Sequence, residues 1–284
     1  MANLHNSFLR FNNLISLSQQ RLSKLSNSKN AIQNTIKYHF QKDWRFPTPK
    51  FFIQGSYKMN TIILKKDNTY DVDLGVYFES IPQIAPVTLQ KNLLRAVEYQ
   101  TSAGAIHKNK CIRVVYQGEF NIDLPVYYLD KKSNTPYLAT KNSWEKSDPK
   151  ELVEWFKINN GTNQQLQRLI KYIKAWSENN YYKMPSGIVI TVWTAQNFSL
   201  NIREDIALIN TLKNIRSKFR WSIKCINPSL PGDDLVASLS IDQKNRFLSE
   251  IEDLILALER SLNDQNQSRA IARLKKHFGL KFGL

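Results

Sequence analysis

Residues 70–79 alternate without a break: Val72, Leu74, Val76 and Phe78 fall on one side, Asp71, Asp73, Gly75 and Tyr77 on the other. A helix would scatter the four apolar residues around its circumference, whereas a strand collects them on one buried face. The chain must therefore build a sheet here, and its two aspartates, two apart, project from the face away from the core. Further strands are expected at 51–54, 111–116 and 120–128, with Gln117-Gly118-Glu119 as a hairpin turn between the last two. The rest reads as helix. Phe8, Phe11, Leu14, Ile15, Leu22 and Leu25 recur at helical steps, partly broken at Ser26-Asn27-Ser28. Ala31, Ile32, Ile36 and Phe40 continue the pattern until Pro47 and Pro49 stop it.

A helix is expected over 88–101, then a polar linker after Tyr128. Asp148-Pro149 with Glu151 is a helix start: an Asp cap, Pro at the first helical position and an acidic first turn. No strand is expected beyond it. Leu166, Leu169, Ile170, Ile173 and Trp176 form one apolar stripe, residues 188–198 a buried helix, and Phe247, Ile251, Leu254, Ile255, Leu258 and Leu262 another stripe. The fold class is α+β: an N-terminal long helix, a small mixed sheet and a helical C-terminal lobe, divided into residues 1–140 and 141–284.

The 284 residues, 42% of them hydrophobic, suffice for a real core and exclude global disorder. Two cysteines, Cys111 and Cys225, make neither a disulfide framework nor a zinc site. The first twenty residues lack the apolar stretch of a signal peptide, and the longest nearly apolar run, 187–195, is too short to span a bilayer. A cytoplasmic protein without a membrane partner is expected. The formal net charge of +16 makes polyanions natural partners, with no acidic residue before Asp43 or after Asp264. A solubilising surface explains the same charge.

The site candidates lie on the sheet. In Asn121-Ile122-Asp123-Leu124-Pro125, Ile122 and Leu124 point into the core, so Asp123 points away from it, as Asp71 and Asp73 do. Three like charges on one face repel and raise one another's pKa values. A divalent cation relieves this, and oxygen-only ligands favour Mg²⁺ or Mn²⁺. Two aspartates two apart also suit the solvent face of an ordinary antiparallel strand. The upstream Gln54-Gly55-Ser56 narrows the choice: glycine lets the backbone approach a ligand, and the serine hydroxyl and following amides can hold a triphosphate.

Gly55-Ser56, Asp71-Val72-Asp73 and Asp123 resemble the signature of the DNA polymerase β-like nucleotidyltransferase superfamily. The stretch from Gln54 through Thr61-Ile62 and on to Val76 is similar to the bacterial cGAS/DncV-like nucleotidyltransferases, which make cyclic oligonucleotide second messengers in antiphage signalling. The resemblance implies a polymerase β-like core and two ions, Mg²⁺ or Mn²⁺, held by Asp71, Asp73 and Asp123 as the catalytic set. It implies that Gln54, Gly55 and Ser56 bind the nucleotide. Arg168-Leu169-Ile170-Lys171-Tyr172 resembles the helix on which relatives carry a phosphate-binding lysine, and Met184-Pro185-Ser186-Gly187 the start of the next helix with its phosphate-binding serine. Lys171 and Ser186 are thus further nucleotide-binding candidates; Lys171 lies off the apolar stripe, free to reach a cleft, and Ser186 caps a helix. Gly187 stands where some relatives place a base-stacking aromatic.

The implied reaction is attack of a nucleotide hydroxyl on the α-phosphate of an NTP, releasing pyrophosphate, then a second transfer that closes a cyclic di- or trinucleotide. The implied partners are NTPs with ATP among them and a downstream effector that reads the product; a nucleic-acid activator stays open, and a monomer is expected. Two other readings compete: a nucleotidyltransferase acting on an RNA end or a protein, and a non-enzymatic basic protein binding nucleic acid through its acid-free ends.

Overall fold

The computed structural model describes residues 2–43, 46–79, 84–130, 132–133, 135–160, 164–219 and 222–284. The chain separates into two compact units. One is helical and comprises residues 1–16, 60–66 and 154–284; the other holds the sheet and comprises 17–59 and 67–153. The sequence places a single division after residue 140; here the last crossing falls at 153/154, and two short upstream segments join the helical unit.

In the sheet unit, β1 (Lys50–Gln54) runs antiparallel to β2 (Asp71–Phe78). On the other edge of β2 lie β5 (Phe120–Leu124) and then β6 (Val126–Asp130), both parallel to it. Asp71 to Asp73 and Val76 to Phe78 each face the residue fifty positions later, from Asp71↔Asn121 to Phe78↔Tyr128, so β5 and β6 are one strand line in one register. Pro125, which has no N–H to give, interrupts it, while its carbonyl still accepts from Val76 N. The far edge of this line is shared. β4 (Ile112–Tyr116) forms a hairpin with β5 and carries β3 (Ala105–His107); β7 (Thr135–Ala139) forms a hairpin with β6 and carries β8 (Trp144–Lys146). β7 and β8 replace the polar linker expected after Tyr128. Their alternation is short and diluted by Lys, Ser and Asn in the turns, so sequence periodicity missed them.

Val72, Leu74, Val76 and Phe78 are buried, as are Ile122, Leu124 and Val126 beside them. α2 (Gln19–Gln41) and α4 (Pro86–Val97) belong to the same unit. α2 buries Leu25, Ile32, Ile36 and Phe40, and the Phe40 ring meets Phe78 at 5.0 Å. The N-terminal helical stretch breaks at residues 16–18, earlier than the expected Ser26-Asn27-Ser28. α1 (His5–Ile15) ends at Ser16 in extended backbone, and Ser18 caps α2 by accepting from Arg21 N. Ser26 to Ser28 stay helical because the buried stripe on both sides outweighs their weak propensity. One helical turn, α3 (Gly55–Lys58), follows β1.

In the helical unit, Phe8 and Phe11 of α1 meet Tyr172, Phe278 and Phe282 with ring centroids 5.0 to 6.1 Å apart. These rings join α1, α6 (Gln165–Asn179) and α10 (Gln267–Phe278). α7 (Gly187–Gln196), α8 (Glu204–Lys218) and α9 (Ile241–Leu262) complete the unit, with α5 (Pro149–Asn160) at its boundary. Beyond Lys146 the described residues contain no strand, only an isolated bridge between Ile226 and Asp234. No helix among them is long and apolar enough to cross a membrane.

Candidate active site

The register of β2 with its neighbours builds the site. The outward row of β2 is Asp71, Asp73, Gly75, Tyr77; facing it across the parallel pair is Asn121, Asp123, then past Pro125, Tyr127. Asp73 and Asp123 are direct cross-strand partners, and Asp71 sits one pair further on against Asn121, whose amide donates to Asp71 Oδ1 at 2.8 Å. The row ends in two tyrosines stacked at 4.6 Å and 10°. Carboxylates thus occupy one end of this row and an aromatic wall the other.

On the opposite edge of β2, Gln54 faces Asp73 and the chain turns at Gly55. Gly55 has φ of +63°, and a Cβ there would overlap Asp73 Oδ2. Only glycine combines that backbone with that approach. Ser56 follows, half-buried, in the first turn of α3. Gln54 itself is buried, and its amide is engaged: Nε2 donates to Tyr127 Oη at 3.0 Å, and Tyr77 Oη donates to its Oε1 at 3.3 Å. Gly75 makes room for this crossing, since a Cβ there would come within 2.6 Å of Gln54 Oε1. The Gln54 side chain therefore ties the turn to the aromatic end of the row. Burial pushes both tyrosine hydroxyls above their ordinary pKa, with Tyr127 adding to the effect on Tyr77 and Asp73 to that on Tyr127, so they stay protonated as this network needs.

Arg113 completes the acidic end. It stands opposite Asp123 in the β4–β5 pair, and its Nε and Nη2 donate to Asp123 Oδ1 and Oδ2, both at 2.7 Å. Nη2 also lies 3.2 Å from Asp71 Oδ2. Hydrogen bonding to Asp123 pushes the already high pKa of Arg113 further up. The Cys111 thiol, two residues before Arg113, is pushed up to about 12 by burial and by Asp123, which leaves it a neutral thiol.

The donor set suits a hard divalent cation: three carboxylates from adjacent strands, with glycine keeping the space beside Asp73 clear. As arranged, no three Asp, Glu, His or Cys side chains among the described residues are close enough together to hold a metal ion.

Lys171 and Ser186 belong to the helical unit. Lys171 is not free at the surface as expected. It is 7% exposed and donates to Ser16 Oγ at 3.1 Å, and burial lowers its pKa. Ser186 occupies the N-cap position of α7 as expected, exposed, without a side-chain capping bond. The lysine beside the start of α7 is Lys174, which donates to Thr61 O and Oγ1 at 3.2 and 3.1 Å; its Nζ lies 3.8 Å from where a Cβ on Gly187 would stand.

A family profile described as cyclic GMP-AMP synthase DncV-like, nucleotidyltransferase domain, matches residues 49–127, from β1 through Asp123 to Tyr127. This segment, which carries all three aspartates and the Gly55 turn, is similar to the nucleotidyltransferase domain of the DncV-like family. A cyclic GMP-AMP synthase of Escherichia albertii is 27% identical over 92% of this chain; the chain spans 62% of that relative's length. The fold agrees with that of Vibrio cholerae DncV. The apo form superposes with a TM-score of 0.83 at 18% identity, covering 99% of this chain and 96% of that one. The complex with nonhydrolyzable GTP gives 0.85 at 18% identity, covering 99% and 97%.

Three contributors to the site escaped the sequence reading: Arg113, Asn121 and the Tyr77–Tyr127 pair. The signal for Arg113 was present. With the hairpin turn centred on Gly118, Arg113 is the mirror position of Asp123. The tyrosine pair required the parallel register of β2 with β6, which no local pattern reveals.

Proposed function

We propose that this protein is a nucleotidyltransferase that joins nucleoside triphosphates into a cyclic dinucleotide, releasing pyrophosphate at each transfer. One observation carries the reading: Asp73 faces Asp123 in register, one pair from Asp71, with the Gly55 backbone against Asp73, all within the span that matches the family profile. The named activity of the Escherichia albertii relative supports it, as do the Vibrio cholerae DncV structures with nonhydrolyzable GTP and with the linear intermediate pppA(3′,5′)pG.

In this reading Asp71, Asp73 and Asp123 hold two Mg²⁺ or Mn²⁺ ions, which supply charge neutralisation for the attacking and leaving oxygens. Gly55 and Ser56 hold the β- and γ-phosphates, and Gln54 fixes the turn that presents them. In the helical unit, Lys171 and Ser186 are the proposed phosphate contacts. Rate acceleration comes from positioning an acceptor hydroxyl in line with the α-phosphate, since phosphoryl transfer asks for little covalent chemistry from the protein. The same residues serve a second transfer that closes the ring. ATP is among the proposed substrates, and antiphage signalling through an effector that reads the product is part of the same proposal.

The test is incubation with all four NTPs and Mg²⁺ or Mn²⁺, phosphatase treatment, and mass spectrometry of what survives. A resistant product of cyclic dinucleotide mass, absent from a folded Asp71→Ala/Asp73→Ala variant, is the expected outcome. A product that persists in that variant removes the aspartates from the reaction, and product only with added RNA or protein acceptor replaces cyclisation with transfer to a macromolecule.

A further inference from the structure

The acidic end of the row carries its own positive charge. Arg113 grips Asp123 through both carboxylate oxygens at 2.7 Å and reaches Asp71 at 3.2 Å, while Asn121 takes the other oxygen of Asp71. The pair is largely shielded, with 18% of the Arg113 side chain and 14% of the Asp123 side chain exposed. A bidentate guanidinium–carboxylate pair in a partly dehydrated setting is the strong form of this contact. The guanidinium spans two of the three carboxylates assigned above to the cations, so it meets the same oxygens a divalent ion needs.

We propose that Arg113 is an internal counter-ion that competes with the divalent cation for Asp71 and Asp123, so that cation binding requires the guanidinium to leave them. The inference rests on the metal reading of the previous section. Two cations sharing one pair of carboxylates repel at short range, and the shielded setting strengthens that repulsion. Departure of the guanidinium is a movement of the side chain, since the backbone of β4 is paired along its length to β5. Two consequences follow. The sheet face is already neutralised in part, so folding of this unit does not depend on a metal. The apparent affinity for the cation is also lower than three converging aspartates alone would give.

The experiment titrates Mn²⁺ alone, without nucleotide, into the full chain and follows free Mn²⁺ by electron paramagnetic resonance. It compares wild type, Arg113→Gln, Arg113→Lys and Asp73→Ala, with circular dichroism to check folding. Arg113→Gln is expected to tighten Mn²⁺ binding about tenfold or more, given the strength of charge-assisted pairs. Arg113→Lys, which keeps the charge and loses the fork, should fall between. Without metal, Arg113→Gln should melt earlier than wild type and gain more in melting temperature from Mn²⁺. Binding that depends on Asp73 but is unchanged or weaker in folded Arg113→Gln overturns the counter-ion role and leaves the metal reading intact. If no variant shows Asp73-dependent binding, the metal reading falls and this inference with it. Should Arg113→Gln not fold, Arg113→Lys decides: severalfold tighter binding supports the proposal, and unchanged binding overturns it.

Discussion

Gly55 shows how narrow the tolerance of the site is. Its positive φ and its contact with Asp73 are separate demands on the same residue. Gly55→Ala faces about 1–3 kcal/mol of backbone strain, and it relieves the overlap only by moving Asp73 or the β1–α3 turn. Displacements of about 1 Å at a positioned centre cost on the order of a hundredfold in rate. Product formation by Gly55→Ala should fall by about that factor, with the far-ultraviolet dichroism unchanged; wild-type turnover would show that the turn is not part of the site. The three aspartates were legible in the sequence because alternation alone fixes their face. Gln54 was legible as a neighbour of the turn but not as a buried amide held by two tyrosines, because its partners lie on β2 and β6 and only the folded register brings them to it.

At the level of elements, sequence pattern worked where a buried face runs over many residues and failed where the strand is too short to display a period. β2 and the long β5–β6 line announce themselves by alternation. β3 and β8 are three-residue edge strands, and β7, between β6 and β8, spans five residues and buries Leu138 with Tyr77 and Tyr127. The start of α5 was read correctly from its cap: Asp148 Oδ1 accepts from the backbone N–H groups of Lys150 and Glu151, at 3.1 and 2.9 Å. Asp148→Ala should therefore cost about 1 kcal/mol, seen as a lower urea midpoint with the slope unchanged. A change in slope would mean that the cap matters for more than this helix end. The misplaced break in the N-terminal helix teaches the converse. Ser-Asn-Ser is a weak helix former, yet Leu25 on one side and Ile32, Ile36 and Phe40 on the other keep it helical, whereas Ser16-Leu17-Ser18 offers a stop and a cap.

Across the whole molecule, charge and burial set the response to acid. Burial is the main cause holding His39, His107 and His277 below the ordinary imidazole value. Each takes up its proton less readily folded than unfolded, where the value is about 6.5. Their contribution to stability is therefore complete above about pH 6.5 and drains away as the pH falls below it. Asp264 adds a second, lower window. The side chain of Arg269, the amide of Asn266 and the side chain of Arg273 hold its carboxyl well below the usual range. Its contribution is present above about pH 4 and is lost as the pH falls toward its folded value. The melting temperature should be flat near neutrality, decline from about pH 6.5 and steepen below about pH 4. His277→Gln should blunt the first decline; an unaltered profile in that variant would assign the decline elsewhere. The two arginines bound to Asp264 also reduce the basic C-terminal end that composition suggests, since Arg269 and Arg273 both spend their guanidinium groups there. The path of the chain has a consequence of another kind. The helical unit takes residues 1–16, 60–66 and 154–284, tied by bonds such as Leu4 N to Asp205, Leu64 N to Ile15 O and Lys66 to Asn179 O. A single crossover in the coding sequence therefore exchanges fragments and never a whole unit: to graft this sheet onto a relative, segments 17–59 and 67–153 must travel together while the seven residues between them stay behind.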